Sequence, residues 1–331
     1  MHQSTPHGTD PAGSPETARE RWAASLFAGL AIILGAEILL YIDVAARGGI
    51  VVPAAPLPAP SGVIEHLARW TATYMTPVCW IGYLLAFDAL LTLRGRGGSP
   101  ARHSPRRFVA CVIISVPIWV VFEAVNAVSL EAWAYHGLPD DPIVRYATFA
   151  IAFATICPAM FMTAELLQHL GLRALRGRSL RTGRRAETVL MLLGLASLMF
   201  ALLAQDPIGS FGIWLAFTLL LDPVNRRLGA PSILADWQRG EWGRSVALIV
   251  AAVICGVFWE FWNQWAASKW TYNLPFLGPL EDIRYFEMPI VGISGYLPFG
   301  IECWVMYQSA LLSARKLGLR LEPPTSSAAI V

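Results

Sequence analysis

Charge is scarce in this chain and lysine is nearly missing: 15% of the 331 residues are charged, and Lys269 and Lys316 are the only lysines. The net charge of +2 is too small to hold a polyanion, so nucleic acid is not an expected partner. Cys79, Cys111, Cys157, Cys255 and Cys303 fall singly in apolar stretches, without the close spacing of a disulfide framework or zinc site. Small buried hydrophobes is their expected role. The six histidines lie in loops, polar tails or segment ends, and no two are placed to ligate a haem. Nucleotide loops, metal motifs and nucleophile elbows are missing. No metal is expected, and the cofactor, if any, is not named by the residues.

What the chain has is apolar surface. Hydrophobic residues make up 55% of it, and a mean hydropathy of +0.51 lies outside soluble usage. Eight apolar segments are read, at about 22–42, 70–93, 108–130, 146–170, 187–205, 208–222, 245–267 and 288–312. Most approach the roughly 20 residues that a helix needs to cross about 30 Å of hydrocarbon. No alternating ten-residue pattern suggests a barrel. The expected fold is all-α, a polytopic transmembrane bundle of about eight spans.

Arginines mark one side. Arg94, Arg96, Arg102, Arg106 and Arg107 lie between segments two and three, Arg173 to Arg185 between four and five, and Arg226 to Arg244 between six and seven. The intervening loops are poor in basic residues or acidic, as at Asp140 and Asp141. Basic loops stay cytoplasmic, so both termini are expected there, in a bacterial inner membrane, and the first segment reads as an anchor rather than a removed signal.

The polar residues inside the spans repeat. "VFEAVNAVSLEAWAY" at 121–135 aligns with "FWEFWNQWAASKWTY" at 258–272, pairing Glu123 with Glu260, Asn126 with Asn263, Trp133 with Trp270 and Tyr135 with Tyr272, each 137 positions apart. Glu165 and Glu302 share that offset, while Trp80 and Asp88 recur as Trp214 and Asp222 at 134. Shared leucines between spans mean nothing; shared Glu, Asn and Trp at one offset imply duplication. The division expected is a polar cytoplasmic tail at 1–21, a four-span repeat at 22–170, a basic linker at 171–186, a second four-span repeat at 187–313 and a tail at 314–331. An even number of spans per copy makes the copies parallel, related by an axis near the membrane normal.

Glu and Asn three apart share a helical face, so Glu123 with Asn126 and Glu260 with Asn263 form candidate sites, joined on the following spans by Glu165 and Glu302. A charge at that depth costs at least about 2.5–3.5 kcal/mol. These groups should therefore face inward and be paired, protonated or hydrated, and a carboxyl so placed suits proton transfer. Trp259, Trp262, Trp133, Tyr135, Trp270 and Tyr272 are candidate binding residues, as are Lys269 and Glu287, which can pair with one another; Lys269 can equally pair with Glu260 or snorkel. Plainer roles stand beside these: interhelical hydrogen-bonding glue for Glu-x-x-Asn, an interfacial aromatic belt, and ion pairs of Asp88 and Asp222 with arginines such as Arg94 and Arg226. Pro298, inside the last span, is expected to kink it beside Glu302.

With FWEFWN, KWTY, FEMP and a proline-to-glutamate span, the chain resembles a family of uncharacterised duplicated bacterial polytopic proteins. Leu297, Pro298 and Glu302 in "LPFGIE", after an intramembrane acid and an aromatic loop, are similar to the Leu-Pro-x-Glu-Glu element of the integral-membrane lycopene cyclases and carotenoid hydratases. That likeness implies protonation of a polyene, with Glu302 as donor; Gly300 and Ile301 depart from the element where its paired acid would stand.

Three functions follow as expectations. One is an enzyme acting by acid/base chemistry on an isoprenoid or other lipid, with Glu260 and Glu302 moving protons, Asn263 orienting, and tryptophans facing a cationic intermediate. A second is a proton-coupled transporter of a small molecule. The third is a non-catalytic subunit of a larger membrane complex. Membrane lipid, an isoprenoid or pigment ligand, and membrane-complex subunits are the corresponding partners.

Overall fold

A computed structural model describes residues 15–94, 99–203 and 212–319. Among the described residues eleven α-helices carry the fold: α1 (Pro15–Ala46), α2 (Gly62–Thr73), α3 (Met75–Arg94), α4 (Pro100–His103), α5 (Pro105–Val125), α6 (Pro142–His169), α7 (Arg184–Leu203), α8 (Ile213–Arg227), α9 (Ile233–Gln238), α10 (Gly243–Gln264) and α11 (Tyr296–Lys316). Two small antiparallel ladders are added, β1 (Trp133–His136) with β2 (Lys269–Tyr272) and β3 (Arg284–Tyr285) with β4 (Met288–Pro289). The molecule is an all-α polytopic bundle, a multi-pass membrane protein by the length and composition of its helices.

Seven helices among the described residues, rather than eight, are long and apolar enough to span. The exception corresponds to the segment at 208–222: α8 has 15 residues, about 22 Å against the roughly 30 Å of a hydrocarbon core, and the first part of that segment lies outside the described residues. Two more boundaries differ from expectation. α1 begins at Pro15, inside the stretch assigned to a polar tail; the rest of both expected tails falls largely outside the described residues. Pro298 stands in the first turn of α11, where a missing N–H costs nothing, and α11 runs unbroken past Glu302. The expected kink is therefore absent, and the irregular backbone comes before the helix as a 3₁₀ run over Ile290–Gly295.

Helix pairing in one half recurs in the other. α1 packs on α3 as α7 packs on α8, α5 on α6 as α10 on α11, and α3 on α6 as α8 on α11. Gly29 and Gly82 let α1 and α3 touch backbone to backbone: a Cβ on Gly29 would stand 2.5 Å from Gly82 O, and one on Gly82 would stand 2.8 Å from Gly29 O. α1 and α7 leave most of their apolar side chains outward, whereas α6 is the most enclosed span and also packs on α10 of the other half.

At the end opposite the arginine loops, β1 and β2 tie the halves together. Their register pairs Trp133 with Tyr272, Ala134 with Thr271, Tyr135 with Trp270 and His136 with Lys269. Ala134 thus faces its own counterpart at the 137-residue offset, which places a local two-fold axis between the strands. Cysteines introduced together as Ala134→Cys and Thr271→Cys should form a disulfide on mild oxidation, identified by mass spectrometry of the joined peptides. Free thiols at both positions after oxidation would contradict the ladder.

Candidate functional site

Each strand is fixed by the asparagine of its own half, and the two brackets match. Asn126 Oδ1 accepts the N–H groups of Ala132 (2.8 Å) and Trp133 (3.2 Å), while its Nδ2 donates to Trp133 O at 2.9 Å. Asn263 Oδ1 accepts the Trp270 N–H at 2.8 Å and its Nδ2 donates to Trp270 O at 2.7 Å. Both amides are occupied in holding β1 and β2, so orienting a substrate is not the work this geometry gives to Asn126 or Asn263.

The glutamates one turn earlier receive the strands' polar side chains. Glu123 Oε1 accepts the Tyr135 hydroxyl at 2.6 Å and the indole N–H groups of Trp119 (2.7 Å) and Trp133 (3.3 Å). Glu260 is 0% exposed, and its Oε1 accepts the hydroxyls of Tyr272 (2.7 Å) and Tyr296 (2.8 Å). Its Oε2 has no partner among the described residues. Trp270 Nε1 donates to the Tyr272 hydroxyl at 2.9 Å. Burial, reinforced by the adjacent carboxylates, pushes the hydroxyls of Tyr135 and Tyr272 well above the ordinary tyrosine pKa, so both remain neutral donors.

Tyr296 was not found from the sequence. Its counterpart at the 137-residue offset is Ala159, and that of Trp119 is Gly256. The two differences compensate: the Tyr296 ring lies where a Cβ on Gly256 would come within 2.4 Å of it. The second half thus replaces an indole donor from the glutamate's own helix with a phenol from the next one.

Between the halves, beneath the ladder, is a cavity of about 170 Å³. Its walls are mainly apolar and rich in aromatic rings, including Trp119, Trp133, Tyr135, Trp214, Trp259, Trp270, Tyr272, Tyr296 and Phe299. Trp214 and Phe299 meet Phe122 at 5.3 and 5.6 Å between ring centroids. Trp80 meets Trp259 at 5.2 Å, the same contact as Trp214 with Phe122 carried to the other half. Neither Glu123 nor Glu260 is on the wall; each is hydrogen-bonded to tyrosines that are, Glu123 to Tyr135 and Glu260 to Tyr272 and Tyr296.

Other candidates lie elsewhere. Trp262 is buried away from the cavity, edge-on to Trp80 at 4.9 Å. Lys269 lines the cavity, but its fully buried ammonium is paired with Glu287 and donates to Gln264 O at 2.7 Å. Burial draws its pKa below the usual lysine value, while Glu287 works in the other direction. Glu165 sits at the arginine-loop end, 3.2 Å from Arg173 and 3.4 Å from His169, rather than at the cavity. Glu302 is fully buried between α11 and α8, where Oε1 accepts the Phe217 N–H at 2.8 Å and Oε2 has no partner among the described residues. It too is absent from the cavity wall.

Asp88 and Asp222 hold neighbouring loops and helix starts. Asp88 pairs with Arg102 (2.6 Å) and Ser99 rather than Arg94. Asp222 accepts the Ile233 and Leu234 N–H groups at 2.7 and 2.9 Å, capping α9, and Arg226 goes to Glu187 instead. Asp43 with Arg47 and Arg69 forms a further cluster at the ladder end that the sequence did not suggest. Among the described residues no group of three or more His, Cys, Asp or Glu is arranged to hold a metal. No family model, curated protein or solved structure matches the chain.

Asn263→Leu should cost about 2–4 kcal/mol, because it strips partners from both the N–H and the C=O of Trp270, read as a lower melting temperature in detergent. Gly256→Ala should displace Tyr296 and also lower it; an unchanged melting temperature in either variant contradicts the packing around the affected side chain.

Proposed function

We propose that the protein is an intramembrane acid/base enzyme acting on a lipid-soluble substrate of the isoprenoid class, with Glu260 as the proton-exchanging group. One observation carries this reading: two tyrosines that line an apolar cavity rich in aromatic rings, Tyr272 and Tyr296, both donate their hydroxyls to a single fully buried carboxyl. A tyrosine hydroxyl can donate and accept at once. Glu260 therefore exchanges a proton with a bound molecule through either phenol, without itself entering the cavity. Aromatic faces suit a substrate that is apolar at rest and positively charged in passing.

The likeness to lycopene cyclases and carotenoid hydratases, read from "LPFGIE", favours the same substrate class but assigns the donor to Glu302. Glu302 accepts a main-chain N–H, whereas Glu260 accepts the hydroxyls of two cavity-lining tyrosines, and that moves the role to Glu260. The proposed setting is a bacterial inner membrane with both termini in the cytoplasm. A carrier is the second reading, supported by the local two-fold through the ladder and a cavity between related halves.

The test is to purify wild type and Glu260→Gln from the same host and to analyse the lipid extracts by mass spectrometry. Wild type should carry a lipid-soluble compound with an apolar chain. Glu260→Gln should carry one of different composition, the unreacted substrate. Identical bound compounds would overturn the enzyme in favour of the carrier, and extracts no richer than those from an unrelated membrane protein would overturn both.

A further inference from the structure

The ladder end is the side on which basic residues are rare, and most of those present have a carboxylate partner. Arg47 and Arg69 pair with Asp43, Lys269 with Glu287, and Arg284 with Glu281. Arg145 is different. Its Nε donates to Pro139 O (2.9 Å) and its Nη2 to Asp140 O (3.3 Å), both main-chain carbonyls, and it has no carboxylate partner among the described residues. Those two bonds hold a full positive charge in place without cancelling it.

Arg145 also lines the cavity, whose lining includes no Asp or Glu. With the charge of Lys269 answered by Glu287, the cavity is left, among the described residues, with one cation that has no carboxylate partner. Its place in the cavity follows from α6. Arg145, Thr148, Phe149, Ala152, Phe153 and Ile156 all line it, a stripe on one helical face. From Arg145 in the first turn of α6 to Ile156 is about 16 Å at 1.5 Å per residue. The cavity is thus flanked by a cation near the helix start and by aromatic and aliphatic side chains farther into the bundle.

The geometry points to a single-chain amphiphile with an anionic oxygen head group as the occupant, its head on Arg145 and its chain along α6 toward Phe299. A guanidinium offers paired N–H donors suited to carboxylate and phosphate oxygens. An uncharged chain would fill the apolar wall equally well and leave the cation unanswered. The inference rests on the cavity being a ligand site, as proposed above, and adds which end of the ligand lies where and what charge it carries.

Binding of dodecanoate, dodecyl phosphate and dodecanol to the full-length protein in nanodiscs, followed by tryptophan fluorescence, tests it. At least one anion should bind roughly tenfold or more tighter than the alcohol, and the tighter anion identifies the head group. Arg145→Gln should abolish the preference while leaving dodecanol binding in place; Arg145→Lys, which keeps the charge, should retain part of it. If the alcohol binds as tightly as both anions, or Arg145→Gln keeps the preference, the inference is overturned with the cavity still a ligand site. If none of the three binds, the ligand site itself is refuted.

Discussion

The ladder end depends on main-chain polar groups being satisfied from within, because a lipid environment supplies no substitute. A four-residue strand pair has little stability of its own. In this protein it is held by two asparagine amides, each accepting from and donating to the strand of its own half. Remove those bonds and the strands lose their height above the helices. Tyr135 and Tyr272 then no longer reach Glu123 and Glu260, and the cavity loses the wall that Trp133, Trp270 and Lys269 supply. The interhelical glue that a Glu-x-x-Asn pair suggests is thus divided: the asparagine holds a strand, and the glutamate receives that strand's side chain.

The acids sort by the donors they meet. At the arginine-loop end, Glu187 takes Arg226 and Arg227, and Asp236 takes Arg239 and Arg244. A carboxylate bridged by two guanidinium groups binds loops together. Below the ladder, Glu123 and Glu260 meet only neutral phenols and indoles. A phenol can turn from donor to acceptor when the carboxyl gains a proton, so the contact survives in both states. That difference separates the acids that bind loops from those that meet reversible donors.

Much of this was legible in the sequence, and the parts that were not share a cause. Hydropathy located the spans because lipid imposes one rule on every helix. The offset of Glu, Asn, Trp and Tyr located the two strands' anchors because polar residues at membrane depth are too costly to recur without a use. Both signals depend on likeness, between residues and lipid or between one half and the other. Tyr296 and Trp119 stand where the halves differ, so the alignment that found Glu260 passed over them. Glu302 and Glu165 matched in offset, yet one meets a main-chain N–H of α8 and the other an arginine and a histidine. Equal position did not mean equal surroundings. Arg145, with no counterpart among the repeated residues, gains its meaning from which carboxylates are already taken by other cations.

The differences between the halves give the site its direction. A perfect two-fold would give Glu123 and Glu260 identical donors and a cavity with no preferred end. Exchanging Trp119 for Gly256 and Ala159 for Tyr296 keeps the space filled while changing the chemistry. An indole N–H can only donate, whereas a phenol can pass a proton on. The second half therefore has two phenols on one enclosed carboxyl, and the first has one phenol and two indoles on a less buried carboxyl. Arg145 adds the opposite asymmetry, placing its uncompensated charge in the first half. On the proposed reading, a molecule held by its head in the first half would present its chain to the half with two phenols on one carboxyl, so two halves with the same helix pairing would acquire unlike ends.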